Sequence, residues 1–289
     1  MKNMGATIRY LISVGIYGTI GFFLHFIDAS SEFIVFCRGM IGSLFIGLVM
    51  ILTKNLPDLK AIRKNLVLIV VSGVALGLNW VFLFAGYNYG IAVTSLCNYI
   101  APIIVVIIST WFLKEKLTKA QTLCVTGAFI GIALLSGVFD KNDAVDYHCI
   151  LFGLLAAIGF VVLVLCNKKI EGVKPLDKTL AQLFVSAITV LPFVILNNGF
   201  PKAIDLKSGL IILCLGVVHT GIAYIFYFNS IDVLPANKVA IFGYLEPVLS
   251  VLTGALIFNE GLSIYGVIGA VLILASALIN ELVSMKTKS

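Results

Sequence analysis

The sequence is poor in charge. Asp, Glu, Lys and Arg make up 12% of the 289 residues, whereas 60% are hydrophobic and the mean hydropathy is +1.10. Soluble domains usually carry about 25% charged residues, so this composition excludes an ordinary soluble domain. The connections between apolar runs are also short, the longest being about a dozen residues. The chain is therefore predicted to be an integral membrane protein.

The sequence also lacks the patterns that hold metals, cofactors or disulfides. Its six cysteines have no paired spacing, and its three histidines show no ligand-like spacing. The cysteines are therefore interpreted as small hydrophobic residues rather than as disulfides or metal ligands. No cofactor and no metal site is expected.

Several function classes lose support in the same way. There is no paired-aspartate diphosphate site and no nucleophile triad, so the chain is not predicted to be an enzyme. An intramembrane lipid-modifying enzyme is kept as the one enzymatic alternative. No glycine run resembles an ion-selectivity filter, which disfavours a channel. The first apolar run is too long for a cleavable signal and has no processing site.

The sequence contains long apolar runs, which predict ten membrane spans of about 20 residues each. Sixteen Lys and Arg residues fall on the side of the N-terminus and three on the opposite side, which by the positive-inside rule predicts that both termini are cytoplasmic. The same bias explains the net charge of +6 without nucleic acid, and a cell-membrane location is expected. The predicted spans are 7–27, 31–53, 65–87, 92–113, 119–138, 149–167, 179–197, 208–230, 236–258 and 263–283.

The two halves of the chain repeat each other. A shift of 145 positions superimposes Tyr99 on Tyr244 and Pro102 on Pro247. Because each unit has five spans, the second unit enters the membrane from the opposite side. The predicted fold is therefore all-α, with ten transmembrane helices in two inverted-topology five-helix repeats, residues 1–138 and 148–289. The shift also matches three further pairs: Val106 with Val251, Glu115 with Glu260, and Leu117 with Leu262.

Together these motifs resemble the drug/metabolite transporter superfamily, specifically its ten-helix EamA-type branch. The resemblance rests on Arg38 within residues 33–39, a Tyr-x-x-Pro in the fourth span, Leu245-Glu246-Pro247-Val248 in the ninth, and the span exits at 114–117 and 259–262. It covers essentially the whole chain. It implies a secondary transporter for a small metabolite or drug. Gln182 stands roughly where the second repeat would need Arg38, so the arginine's role is not extended to that half.

Glu246 and Pro247 lie about ten residues into the ninth span, near the membrane midplane. A carboxylate there costs about 2.5–3.5 kcal/mol on insertion scales, which marks it as a functional candidate. Pro247 cannot donate a helical hydrogen bond, and Pro102 lies at a corresponding depth in the fourth span. Two interrupted helices at corresponding places predict a central binding site. Glu246 has no twin, because the shift places Ala101 opposite it.

The role of each charged residue stays open at this stage. Glu246 could couple transport to protons, contact the substrate, or pair with Arg38. Arg38 could pair within the protein, contact the substrate or act in gating, or snorkel to the interface. His219, at a similar depth in the eighth span, could be a satisfied packing residue, a proton relay to Glu246, or a substrate contact.

The remaining candidates are expected to line the cavity. Aromatic faces beside a carboxylate favour an amine, and Arg38 in the same cavity would add a carboxylate site and so favour amino acids. The expected function is proton-coupled export of amino acids, amines or drugs; the alternative is an importer or facilitator of a solute such as a quaternary amine. Gly127 and Gly131 could serve a homodimer interface or internal packing. The expected lining residues are Asn79, Trp80, Asn98, Tyr99, Tyr224 and Tyr244.

Overall fold

The structure, a computed structural model, describes residues 2–89, 91–112, 118–135, 139, 146–257 and 263–286. All regular secondary structure in these ranges is helical. The helices are α1 (Lys2–Gly18), α2 (Ile20–Leu24), α3 (Ser31–Leu52), α4 (Leu59–Lys64), α5 (Leu66–Tyr87), α6 (Ile91–Asn98), α7 (Ala101–Phe112), α8 (Lys119–Leu135), α9 (Tyr147–Lys169), α10 (Pro175–Leu196), α11 (Leu206–Cys214), a π-helical segment (Leu215–Ile222), α12 (Ala223–Ile231), α13 (Ala236–Gly243), α14 (Leu245–Ile257) and α15 (Ile264–Lys286).

Six helical stretches in the described residues are long and apolar enough to cross a membrane, and three further apolar helices are shorter. The multi-pass membrane class is therefore confirmed, while the count of ten spans and the inverted topology stay predictions. The six long stretches are Met4–Leu24, Ser31–Leu52, Leu66–Tyr87, Tyr147–Lys169, Pro175–Leu196 and Leu206–Ile231. The shorter ones are Val93–Ile108, Lys119–Leu135 and Ile264–Asn280.

Polar residues fix where several helices begin. The hydroxyl of Ser30 accepts the backbone N–H of Phe33 at the start of α3, and Asp146 caps α9 by accepting the N–H of His148 at 2.9 Å. This bond, together with a contact of 2.7 Å between Asp146 Oδ1 and His148 Nδ1, holds the pKa of the Asp146 carboxyl below its usual range. The apolar runs therefore start at defined residues rather than fraying into the connections.

The helices of the two halves pack against each other rather than forming two separate bundles. Helix α5 packs mainly on α9 and α10, α3 packs on α10 and the π-helical segment, and α1 packs on α12 and α14. Helix α8 packs along α15. Each of these pairs joins the first half of the chain to the second, so residues of both halves surround the centre of the molecule.

The glycines of α8 face inward, against α15 of the same chain. A Cβ atom added at Gly131 would lie 2.8 Å from the carbonyl oxygen of Gly269, and one at Gly127 would lie 2.9 Å from Ser276 Oγ. Of the two expectations for Gly127 and Gly131, the structure supports internal packing, while a homodimer stays a prediction. The close backbone approach that these glycines permit is already used inside the monomer.

The basic connector between α9 and α10 is shorter than the sequence indicated. Helix α10 begins at Pro175, so Lys178 lies in its first turns instead of in the connector 168–178 between the predicted spans. Lys178 is 1% exposed and its Nζ atom pairs with Asp232 Oδ2 at 2.7 Å. A buried ammonium needs such a partner, because desolvation of an unpaired charge is costly.

Large apolar side chains cover the outside of the helix bundle. On α3, for example, Leu44 is 66% exposed and Ile51 is 63% exposed. Lipid hydrocarbon would cover such a surface, which agrees with the membrane class. Four residues of the internal repeat, Glu115, Leu117, Glu260 and Leu262, lie outside the described residues, as do the span exits 114–117 and 259–262.

Candidate functional site

Two helices are interrupted near the prolines that the sequence singled out. The first interruption separates α6 from α7 at residues 99–100, and the second separates α13 from α14 at Tyr244. Pro102 is the second residue of α7 and Pro247 is the third residue of α14. Proline lacks a backbone N–H but fits the first turn of a helix, so each proline begins a new helix instead of kinking an old one.

Two further irregularities appear that the sequence analysis did not anticipate. The first span breaks between α1 and α2 at Thr19. The eighth span changes from α-helix to π-helix over Leu215–Ile222 and back again. Single π turns inside α-helices are frequent at functional sites, because they shift side chains from their regular positions. Here the π-helical segment carries His219 and Thr220.

A cavity of about 510 Å³ lies among these interrupted helices. It takes side chains from both halves of the chain, and its volume is typical of small-molecule sites. Of the residues named from the sequence, the lining includes Arg38, Asn79, Trp80, Asn98, Tyr99, Pro102, Tyr224, Glu246 and Pro247.

Arg38 reaches the cavity from α3 although it is 5% exposed. Its Nε atom donates to Thr220 Oγ1 at 3.2 Å, and its guanidinium carbon lies 5.3 Å from the centre of the Trp80 ring. An arginine held by one hydrogen bond and one aromatic face keeps donors in reserve. Within the described residues, its Nη1 and Nη2 atoms have no hydrogen-bond partner.

Glu246 enters the same cavity from the first turn of α14 and is half-buried. With the residues that the structure describes, its carboxylate forms no hydrogen bond and no ion pair within 4.0 Å. Arg38 and Glu246 therefore face one cavity without touching. Helix α14 is held close to α1, since a Cβ atom at Gly18 would lie 3.1 Å from the carbonyl oxygen of Glu246.

Aromatic rings form one wall of the cavity. The centre of the Tyr17 ring lies 5.5 Å from that of Tyr224 and 6.1 Å from that of Tyr227. Trp80 meets Tyr224 edge to face, with their ring centres 5.9 Å apart. Tyr10 packs on Tyr227 at 5.6 Å. The hydroxyl oxygens of Tyr17 and Tyr227 are buried without a hydrogen-bond partner in the described residues. The wall thus combines flat apolar surface with polar atoms that the protein itself leaves unpaired.

The amides of Asn79 and Asn98 join α5 to the end of α6. Asn79 Nδ2 donates to Asn98 Oδ1 at 3.2 Å and to the carbonyl oxygen of Ala156 at 2.8 Å. The two hydrogens of this amide nitrogen are therefore used within the protein. Asn79 fixes the first helix break against α5 and α9 while still lining the cavity.

Tyr244 lies behind the cavity rather than in it. It is fully buried and is not among the lining residues of the described chain. Its hydroxyl donates to the carbonyl oxygen of Tyr99 at 2.8 Å, and the two rings lie 6.3 Å apart. The two helix breaks are therefore tied to each other through the tyrosines that the 145-residue shift superimposes.

His219 also lies outside the lining of the main cavity. It is 3% exposed, its Nε2 atom lies 3.0 Å from Thr19 Oγ1, and the edge of its ring meets Phe23. Its contact therefore reaches the break between α1 and α2 rather than Glu246. Thr19, Phe23 and His219 line a second, mostly apolar pocket on the other side of α1 and α2.

The architecture now has a match among known families. The EamA-like transporter family model matches residues 6–137 and 148–281, which together cover most of the chain. The chain belongs to the EamA-like transporter family. Membership in this family and the names of its relatives point to a membrane transporter of small molecules rather than to an enzyme.

Of three related proteins, two carry transporter names. An uncharacterized transporter, YxxF of Bacillus subtilis, is 27% identical over 93% of this chain and 87% of its own length. Protein PecM of Dickeya dadantii is 27% identical over 85% of this chain and 82% of its own length. An S-adenosylmethionine uptake transporter of Rickettsia prowazekii is 27% identical, covering 73% of each chain. A solved crystal structure shares the fold, with a TM-score of 0.83 at 18% identity over 96% of this chain and 98% of that one.

Sequence reasoning missed several residues of the cavity region, among them Tyr10, Tyr17 and Thr220. Tyr10 and Tyr17 line the cavity from α1, and their spacing of seven residues along one helix face was an available signal. Thr220 was not singled out, and no local pattern marks it. It matters because the fold places its hydroxyl on Arg38, 182 positions away in the sequence.

Proposed function

We propose that this protein is an alternating-access secondary transporter in the cell membrane, which exports amino acids or related amines in exchange for protons. One observation carries the proposal: Arg38 and Glu246 line the same cavity, beside the interrupted helices, without forming an ion pair. A guanidinium and a carboxylate at separate positions match the carboxylate and ammonium groups of one zwitterionic ligand.

The separation of the two charges supports this ligand class. In a low-dielectric site, opposite charges attract strongly, so an arginine and a glutamate with no other task would be expected to meet. Here Thr220 and Trp80 hold Arg38, while the first turn of α14 holds Glu246. An amino acid would satisfy both groups at once, and the tyrosine wall would contact its apolar side chain.

Glu246 also suits proton coupling. If a proton and the ammonium group of a substrate compete for the same carboxylate, binding of one excludes the other, and their movements in opposite directions become coupled. The first half offers no such group at the corresponding break, because Ala101 stands there. His219 does not contact Glu246, and its bond to Thr19 favours a structural role over a proton relay.

The helix packing supports two inverted repeats of five spans, and the distribution of Lys and Arg supports cytoplasmic termini. Helices α8 and α15 are related by the 145-residue shift and pack on each other, and Tyr99 meets its equivalent, Tyr244. Equivalent elements touch only near a pseudo-two-fold axis. The packing of α5 on α9 has its counterpart in the packing of α12 on α1. Rocking of one repeat against the other would then open the cavity to each side in turn.

Uptake is the second candidate direction. One relative is named an S-adenosylmethionine uptake transporter, and that compound carries both an amino acid end and a positive charge. The same pair of charges would bind it. Proteoliposomes with an imposed pH gradient separate coupled export from facilitated uptake, because coupled export accumulates the solute on the acidic side whereas a facilitator only equilibrates it.

The test uses purified protein in proteoliposomes and three probes with the same aromatic ring. L-Phenylalanine carries both an ammonium and a carboxylate group, phenethylamine lacks the carboxylate, and 3-phenylpropionate lacks the ammonium group. We expect pH-gradient-driven movement of phenylalanine by the wild type and its loss in Glu246→Gln, with phenylalanine binding no longer dependent on pH. Glu171→Gln, which alters an exposed carboxylate, serves as the matched control. Unchanged driven movement in Glu246→Gln would remove the proton-coupling role, and failure of all three probes to bind would remove the substrate class.

A further inference from the structure

The π-helical segment places one hydroxyl group in a specific orientation. Thr220 Oγ1 donates its hydrogen to the carbonyl oxygen of Leu215, five residues earlier, at 3.0 Å. In a regular α-helix a threonine hydroxyl would bond the carbonyl three or four residues back. Because its single hydrogen is committed to Leu215, the oxygen can act only as an acceptor toward other groups.

Arg38 uses that acceptor. Its Nε atom donates to Thr220 Oγ1 at 3.2 Å, while Trp80 covers one face of the guanidinium from 5.3 Å. An arginine side chain has several rotatable bonds, so a bond at Nε and a ring against the face together fix the plane and direction of the group. The end that carries Nη1 and Nη2 is then left for a ligand, and a carboxylate binds such an end with two parallel hydrogen bonds.

Close packing keeps the π-helical segment against α3. A Cβ atom added at Gly42 would lie 2.8 Å from Thr220 Cγ2 and 3.3 Å from the carbonyl oxygen of Gly216. A Cβ atom at Gly216 would clash with the side chain of Ile41. Glycine at both positions therefore permits the approach that brings the hydroxyl within hydrogen-bond distance of Arg38.

We propose that Thr220 is a positioning residue, which aims the guanidinium of Arg38 at the cavity so that Nη1 and Nη2 bind the carboxylate of a transported amino acid. This inference rests on the function proposed above and adds the residue that makes the carboxylate site selective. It assigns the π-helical segment a task in substrate choice, in addition to its part in the helix bundle.

The experiment compares Thr220→Val, which keeps the shape and removes the hydroxyl, with Thr220→Ser, which keeps the hydroxyl. Binding of L-phenylalanine and of phenethylamine, which lacks the carboxylate, is measured by isothermal calorimetry on each purified protein. We expect Thr220→Val to raise the dissociation constant of phenylalanine about ten-fold, because an aligned charged hydrogen bond is lost. Phenethylamine should bind as to the wild type, and Thr220→Ser should retain the wild-type preference.

Each other outcome has a defined meaning. Equal weakening of both probes by Thr220→Val would show a general structural role and overturn the inference, and so would an unchanged preference for phenylalanine. If the wild type itself does not distinguish the two probes, the carboxylate site is absent, and the inference fails together with the amino-acid substrate class. Should Thr220→Val not fold, Gly42→Ala provides the second variant, since its methyl group displaces Thr220 while the hydroxyl remains.

Discussion

In the first half of the chain, the helix break is followed by Ala101, whose small side chain is 1% exposed, borders the cavity and packs with small and β-branched residues of α7 and α9. In the second half, the equivalent position is Glu246, which is half-buried and faces the cavity. Both breaks are followed by a proline in the first turn of the next helix. The backbone plan is therefore duplicated while the chemistry is not, which separates an architectural role for Pro102 and Pro247 from a functional role for Glu246.

The largest effect on stability is expected when Ala101, at the first break, is replaced by the glutamate found at the second. Ala101→Glu places a carboxylate between the cavity and a packed apolar cluster, and we expect it to destabilise the protein by about 2.5–3.5 kcal/mol, the cost of a charge near the membrane centre. Ala101→Gln, which has nearly the same size, separates the effect of charge from that of volume. Thermal unfolding in detergent measures both. Equal stability of Ala101→Glu and wild type would mean that packing does not explain the asymmetry between the breaks.

Replacing prolines by alanine is expected to have intermediate effects, on stability at one position and on transport at another. Pro192 lies inside the continuous helix α10, where proline removes a hydrogen bond. Neighbouring groups in a transmembrane bundle partly satisfy the freed carbonyl, so Pro192→Ala should raise the unfolding temperature by less than Ala101→Glu lowers it, without changing transport. Pro247→Ala restores a backbone N–H at a break and allows α13 and α14 to join. We expect it to lower transport with little change in unfolding temperature. Full transport by Pro247→Ala would show that the interruption is not needed.

The smallest effect on stability is expected from removing the hydrogen bond between the two helix breaks. Tyr244→Phe removes the hydroxyl that donates to the carbonyl oxygen of Tyr99, and the loss should be about 1 kcal/mol in the free energy of unfolding. Tyr99→Phe keeps that acceptor, because the bond uses the backbone of Tyr99, and should have little effect on this contact. Chemical unfolding of both variants in detergent tests the difference. A larger loss in Tyr99→Phe would place the stabilising contact elsewhere.

Much of this site could be anticipated because it depends on rare residues in apolar segments. A carboxylate, a guanidinium and two prolines stand out in membrane spans, and Arg38, Glu246, Pro102 and Pro247 do line one cavity. His219 was expected at the site because of its depth, and Tyr244 because it lies two residues before Glu246. Depth along a helix does not fix which face a side chain occupies, and the fold directs Tyr244 to Tyr99 and His219 to Thr19.

The sequence by itself determined that this is a multi-pass helical membrane protein, because apolar runs of about 20 residues and scarce charge leave no other stable environment. It also determined where two helices are interrupted, since proline acts through local backbone geometry. Only the tertiary structure decided that Gly127 and Gly131 pack inside the monomer, and that Thr220 orients Arg38. These outcomes depend on contacts between residues far apart in the chain, which no local pattern specifies.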